Sequence, residues 1–342
     1  MPSTLPIIDV SCYLDKNPDD PTITDVQIQI ATDIGAACRT SGFFYLKGHG
    51  ILDVTFQQLE NISKQFFSLS LEEKMDISMQ KGGRAWRGYF PPGAELTSGK
   101  ADQKEGIYFG TELSNLDPRV IAQTPLHGQN LWPDQLDMQK IVMSYIKDVT
   151  EVAQAVLKGI ALSLGLVPNY FRDTYTADPT VLFRVFNYPP RDQNTDVWGV
   201  GEHTDYGLLT LLAQDQHGGL EVYSQGNWIS APPIENYIIC NIGDMLDKLT
   251  AGRYVSTPHR VRVQKDYHRL SFPLFLDPGF NAEIQPLPNS QLSISPLPTS
   301  ERVQTKLHRW DNADLHSLKG TYGEYLLNKV SKVFPHLTTD LS

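Results

Sequence analysis

Apolar residues recur at helical spacing in four stretches of the first half of the chain. Ile23, Val26, Ile30, Ile34 and Ala37 form one series, which stops near Gly42. Asp53 is placed to cap a second helix, with Phe56, Leu59, Ile62 and Phe66 along one side. Residues 71–79 predict a shorter helix with Glu72 and Glu73 in its first turn, where the helix dipole favours acids. The longest pattern spans 133–165: Leu136, Ile141, Tyr145, Val149, Val152, Val156, Ile160 and Leu164 keep the period, and Gly165 suits a stop. A helix of that length is expected to lie across the back of a sheet.

The pattern then changes from helical to strand-like. Short apolar runs at 181–188, 208–213, 219–223, 227–230, 237–242, 260–264 and 269–276 are separated by turn residues. Many short strands at such intervals predict an antiparallel sandwich or barrel. Two earlier runs, 5–10 and 43–46, predict strands near the start of the core, the second ending in the turn Gly48-His49-Gly50. We read His49 as structural. Residues 301–310 and 321–330 predict closing helices. Between the early helices and the long one, residues 81–93 show neither period. They mix Arg84, Trp86, Arg87, Tyr89 and Phe90 with glycine and proline, and this character continues to Tyr108-Phe109-Gly110. An irregular aromatic and basic stretch between regular elements is expected to line a site or cap the core.

Composition narrows the function. The 342 residues are 40% hydrophobic and 20% charged, enough for a large core. A formal net charge of −10 argues against a nucleic-acid backbone or an anionic membrane as main partner. Cys12, Cys38 and Cys240 lie far apart and are odd in number, which predicts reduced thiols in a cytoplasmic setting. The N-terminus has no basic segment leading into an apolar one, and no apolar run reaches membrane-spanning length.

Candidate chemistry begins at His203-Thr-Asp205, flanked by Gly199, Gly201 and Gly207. On an extended segment, side chains two apart point the same way, and the glycines let the backbone come close to other groups. With nine His and 39 acidic residues in the chain, such a pair alone carries little weight. His259, after Thr257-Pro258 at the head of a predicted strand, supplies a third ligand. Two imidazoles and one carboxylate on one face of an octahedron leave open positions for a cosubstrate and oxygen, the pattern of a non-haem Fe(II) site. Downstream, Arg269 and Ser271 alternate onto one face of a strand among apolar neighbours. A planar guanidinium there suits bidentate binding of a carboxylate, with the hydroxyl adding a bond. Tyr188, before Pro189-Pro190, is a further donor.

Tyr188-Pro-Pro, His203-Thr-Asp205, Ser256-Thr-Pro-His259-Arg and Arg269-x-Ser271 stand in the order and spacing of the 2-oxoglutarate/Fe(II)-dependent oxygenases, and the chain most resembles the isopenicillin N synthase-like branch. Pro6-Ile-Ile-Asp9 and Gly42-Phe-Phe, with Gly48-His-Gly50, resemble it too. The resemblance covers about 5–286. It implies a mainly β fold with α, a double-stranded β-helix (jelly-roll) core flanked by helices. It implies His203, Asp205 and His259 as ligands of Fe(II), and Arg269 and Ser271 as holders of the distal carboxylate of 2-oxoglutarate, with Tyr188 assisting. O2 is then the oxidant, and a small-molecule substrate is oxidised, most simply hydroxylated, as 2-oxoglutarate is decarboxylated to succinate. Because Asp205 is present, halogenation is not expected.

Two departures bear on the substrate. Phe186 stands where many plant members carry Asn, so the pocket is more apolar there. The stretch 88–99 looks closer to microbial members, including ethylene-forming enzymes, without predicting that reaction. The candidate pocket residues are Arg84, Arg87, Tyr89, Tyr108, Phe186 and Phe275, the arginines suggesting a carboxylate or other polar group on the substrate. The expected organisation is an N-terminal region (1–125) that completes the core, a long packing helix and connection (126–177), the jelly-roll core (178–285) and a C-terminal helical extension (286–342). Two alternatives stay open: an isopenicillin N synthase-like oxidase that does not use 2-oxoglutarate, and a non-catalytic relative. Neither the substrate nor the oligomeric state is legible in the chain.

Overall fold

The computed structural model describes residues 4–14, 22–97, 99–190, 198–295, 315–317 and 319–335. Its strands are β1 (Ile7–Asp9), β2 (Phe43–Lys47), β3 (Gly88–Phe90), β4 (Leu96–Thr97), β5 (Lys100–Ala101), β6 (Glu105–Gly110), β7 (Thr180–Tyr188), β8 (Trp198–His203), β9 (Leu209–Gln214), β10 (Leu220–Ser224), β11 (Asn227–Ser230), β12 (Ile238–Ile242), β13 (His259–Arg262) and β14 (Arg269–Asp277). Its α-helices are α1 (Asp25–Thr40), α2 (Asp53–Ser68), α3 (Leu71–Met75), α4 (Met79–Gly82), α5 (Pro118–Ile121), α6 (Met138–Ser163), α7 (Tyr170–Thr174), α8 (Asp244–Leu249) and α9 (Tyr322–Val333).

Local sequence explains most boundaries. Thr24 and Gln27 form a capping box at the head of α1, as do Ser70 and Glu73 at α3 and Thr321 and Glu324 at α9. Gly165 follows α6 with φ +80°, and the bonds Gly165 N–H to Leu162 O and Leu166 N–H to Ala161 O close a Schellman turn. Helix α6 starts at Met138, later than the pattern predicts, since Pro133–Asp137 is spent on a turn. Asp53 is the first residue of α2 and makes no capping bond; Leu52 holds the cap position.

Eight strands form one sheet in the order β1-β2-β12-β9-β14-β7-β6-β3, and four form a second, β11-β10-β13-β8. All pairs are antiparallel except β1–β2. This is the jelly-roll core with helices on one side: α6 packs on α1, α2 and the strands β9 and β14. Its buried row Val142, Tyr145, Val149, Val152, Val156 and Ile160 covers the large sheet.

Two sequence readings change here. Residues 81–110 are not irregular throughout, because β3 and β6 pair with each other and β6 pairs with β7. Every β6 residue is buried, so both faces are covered and no alternation shows. Strand β8 is not among the predicted strands either, as Gly199, Gly201 and Glu202 dilute its apolar positions. The helix expected over 301–310 lies outside the described residues.

Candidate active site

The register of the smaller sheet brings the three candidate ligands together. His203 closes β8, and His259 opens β13 directly opposite it. Asp205 lies two residues beyond His203, in the turn before β9. The imidazole centroids are 4.2 Å apart, and the two Nε2 atoms stand 3.8 and 3.6 Å from Asp205 Oδ1. Among the described residues this is the only group of His, Cys, Asp and Glu whose ligand atoms converge, all within 4.8 Å.

Each of these side chains is oriented through its other polar atom. His203 Nδ1 lies 2.8 Å from the Gly201 carbonyl and His259 Nδ1 lies 3.2 Å from that of Thr257. A carbonyl only accepts, so Nδ1 carries the proton and Nε2 keeps its lone pair toward the gap. Asp205 Oδ2 accepts from Thr210 Oγ1 (2.5 Å) and Asn241 Nδ2 (2.7 Å), leaving Oδ1 turned to the imidazoles. Burial, reinforced by His203 and opposed by Asp205, lowers the His259 pKa to about 4, so its ring is neutral near pH 7. Two imidazole nitrogens and one carboxylate oxygen fit a divalent first-row metal. Close packing around the turn explains two glycines: a β-carbon at Gly207 would overlap the Asp277 carboxylate, and one at Gly199 would come 2.7 Å from the Tyr188 ring.

Arg269 and Ser271 face the same cavity as this cluster. Arg269 is fully buried and pairs in register with Tyr188, whose ring lies 4.9 Å from the guanidinium carbon. Its Nη2 donates to Gln214 Oε1 at 3.0 Å, but Nε and Nη1 have no partner among the described residues. A buried guanidinium with idle donors is costly unless an anion completes it.

Of the six predicted pocket residues, Tyr108, Phe186 and Phe275 line the cavity. Arg84, Arg87 and Tyr89 do not, and the prediction is corrected for them. Arg84 Nε donates to the Gln123 carbonyl. Arg87 is buried against Gly110 and donates to the Leu126 carbonyl. Tyr89 donates to Glu105 within a buried network that also holds Lys74 and Asn187. The irregular stretch does give the cavity Trp86, held at φ +53°, an uncommon backbone for a bulky residue.

The cavity has further lining residues. Arg184 shares the inner face of β7 with Phe186 and Tyr188 at a spacing of two, a signal that was there to use. Glu95 and Lys104 come from the loops around β4–β5, and Leu326, Val330 and Phe334 from the far C-terminus. No local pattern announces them. Helix α9 is fastened to the end of β14 and the start of α8: Tyr322 donates to Asp277, and Tyr325 to Asp244 at 2.7 Å.

Two family descriptions match the chain. Residues 5–135 match the non-haem dioxygenase in morphine synthesis N-terminal region, and residues 178–278 match the 2OG-Fe(II) oxygenase superfamily. The chain is 45% identical to a probable iron/ascorbate oxidoreductase of Dictyostelium discoideum, over 98% of this chain and 96% of that one. It is 37% identical to a 1-aminocyclopropane-1-carboxylate oxidase of Dictyostelium mucoroides, over 97% and 95% of the two. Among solved structures, a full-length Neurospora crassa protein in complex with alpha-KG matches with a TM-score of 0.74 and 26% identity, over 96% of each chain.

Proposed function

The chain belongs to the 2OG-Fe(II) oxygenase superfamily and is an Fe(II)- and 2-oxoglutarate-dependent enzyme that oxidises a small molecule; from that premise we propose which of its residues carry the reaction. His203 Nε2, Asp205 Oδ1 and His259 Nε2 hold Fe(II), and Arg269 with Ser271 binds the distal carboxylate of 2-oxoglutarate beside Tyr188. One observation carries this reading: a fully buried arginine with two idle donors opens into the same cavity as the converging His, Asp and His. Fe(II), when bound, supplies the redox chemistry that couples decarboxylation of 2-oxoglutarate to oxidation of the substrate by O2.

The protein's own residues supply position and surroundings. Thr210 and Asn241 keep the Asp205 carboxylate on one ligand oxygen, so it does not crowd the positions meant for cosubstrate and oxygen. Arg269 fixes the far end of the cosubstrate through charge-assisted bonds in a dry site, where such bonds are strong. Apolar walls keep water from the reacting atoms. Hydroxylation is the outcome we propose. The relative acting on 1-aminocyclopropane-1-carboxylate supports an acid of similar size as substrate.

We assign completion of the large sheet to the N-terminal region (1–125), its backing to 126–177 and the ligands and anchor to 178–285; from the C-terminal extension (286–342), Leu326, Val330, Val333 and Phe334 line the cavity. Three free cysteines, two of them buried, support a reducing cytoplasmic setting. Among the described residues no helix is long and apolar enough to cross a membrane. The acidic net charge favours small-molecule chemistry over nucleic acid.

Titrating 2-oxoglutarate into the Fe(II)-loaded protein without oxygen tests the anchor. Arg269→Gln should weaken binding about 100-fold and Ser271→Ala by a smaller factor, with Fe(II) affinity unchanged in both. Equal 2-oxoglutarate affinity in Arg269→Gln would remove the anchor assignment.

A further inference from the structure

Among the described residues three buried cations line the cavity, and the protein treats them differently. Lys104 is paired twice, with Asp102 and with Glu95 Oε2 at 2.9 Å. Burial opposes its charge, yet the two carboxylates hold the ammonium above the ordinary lysine range. Arg269 is the cosubstrate anchor of the reading above. The third is Arg184, 6% exposed.

Arg184 is packed but short of a counter-ion. Its Nη1 donates to the carbonyls of Phe109 and Phe183, each at 3.2 Å, and its guanidinium lies 3.4 Å above the Tyr108 ring. No carboxylate of the described residues lies within ion-pair distance of it. The two that act on it at longer range are engaged elsewhere: Glu95 accepts from Tyr108 and meets Lys104, and Asp277 accepts from Tyr322. Burial accordingly pulls the Arg184 pKa down. A desolvated guanidinium facing a cavity is stabilised by an anion that enters the cavity.

That anion is not the cosubstrate. Arg184 and Tyr188 share the inner face of β7 four residues apart, about 13 Å along the strand. Arg269 stands in register with Tyr188, so a carboxylate held at Arg269 is out of reach of Arg184, which is left for the carboxylate of a second molecule. The wall supplied by the C-terminus is apolar: Leu326, Val330, Val333 and Phe334 all line the cavity.

We propose that Arg184 is the substrate anchor, and that the substrate is a small organic acid whose carboxylate binds this guanidinium while its apolar body lies against α9. This rests on the assignment of Arg269 to 2-oxoglutarate. Sequence alone favoured an acidic substrate through Arg84 and Arg87; the fold moves that role to an arginine on a core strand.

The test uses the full chain with Fe(II) and saturating 2-oxoglutarate, without oxygen, so that Arg269 stays occupied. Matched pairs are titrated by calorimetry: hexanoate and hexanamide, phenylacetate and phenylacetamide, leucine and leucinamide. The pair containing the tightest ligand decides. Its acid should bind on the order of 100-fold tighter than its amide. Arg184→Gln should abolish that preference, Arg184→Lys should retain part of it, and Arg84→Gln should leave it intact. An intact Fe(II)–2-oxoglutarate charge-transfer band in each variant shows that the fold and the metal end survive. The proposal is overturned if the amide binds as tightly as the acid, if Arg184→Gln keeps the preference, or if the acid acts only by displacing 2-oxoglutarate. Absence of the band in the wild-type protein would instead remove the cosubstrate reading, and this inference with it.

Discussion

At the metal end of the cavity each polar side chain spends one atom on the protein and leaves another for a ligand. His203 and His259 give Nδ1 to carbonyls and keep Nε2; Asp205 gives Oδ2 to Thr210 and Asn241 and keeps Oδ1. At the substrate end, charged groups mostly satisfy one another: Tyr108, Glu95, Lys104, Asp102 and Thr97 form one continuous chain of bonds. Arg184 is the exception. The first arrangement holds a site in shape before anything binds. The second closes a wall and leaves one cation to select what fits. Ligands at the first end come from paired strands of the core. Groups at the second come from β4–β6, β7 and α9, segments distant from one another in sequence.

The largest effect that separates the two ends is removal of a ligand. Asp205→Ala should abolish Fe(II) binding and reduce succinate formation to background, with the apoprotein still folded by circular dichroism. Retained tight Fe(II) binding would place the metal elsewhere.

A second expectation concerns pH. The imidazole of His259 titrates near 6.5 when unfolded and near 4 in the fold. Between those values the unfolded chain binds more protons, so metal-free stability is full above about pH 6.5 and falls as pH drops towards 4. Urea unfolding across that range should show the slope in the wild-type apoprotein and a flatter one in His259→Gln. An unchanged slope would mean that His259 is not buried neutral.

The comparison sharpens with atoms that only support a ligand. Asn241→Leu should weaken Fe(II) binding by about 10–100-fold, measured by metal titration, because Asp205 loses a donor that fixes it. A smaller change is expected at the far wall. Tyr325→Phe removes the bond to Asp244 and should lower stability by about 1 kcal/mol in thermal or urea unfolding, with Fe(II) affinity unaltered. If Asn241→Leu behaves like Tyr325→Phe, the two ends are not distinct.

What the sequence made legible follows the same divide. Arg269 and Ser271 are two residues apart on β14, where strand periodicity gives them a shared direction, and Asp205 follows two residues after His203 ends β8. Pairing of β8 with β13 then delivers His259, which needed no more than a strand returning to its neighbour. The substrate end rests on contacts between remote segments. Phe334 touches Trp86, Phe90 and Tyr108, and no local pattern could say so. Strand β6 hid because both of its faces are covered, which erased the alternation that identifies a strand. Arg184 is legible in principle, because it lies two and four residues before Phe186 and Tyr188 on one face of a strand.

The most direct test of the account is the visible spectrum of the apoprotein under anaerobic conditions, recorded after adding Fe(II) and then 2-oxoglutarate. The account predicts a charge-transfer band that requires both additions, is absent in Asp205→Ala, and appears in Arg269→Gln only at much higher 2-oxoglutarate. A wild-type protein that binds Fe(II) but gives no band with 2-oxoglutarate would contradict it, and would favour the oxidase that uses no such cosubstrate.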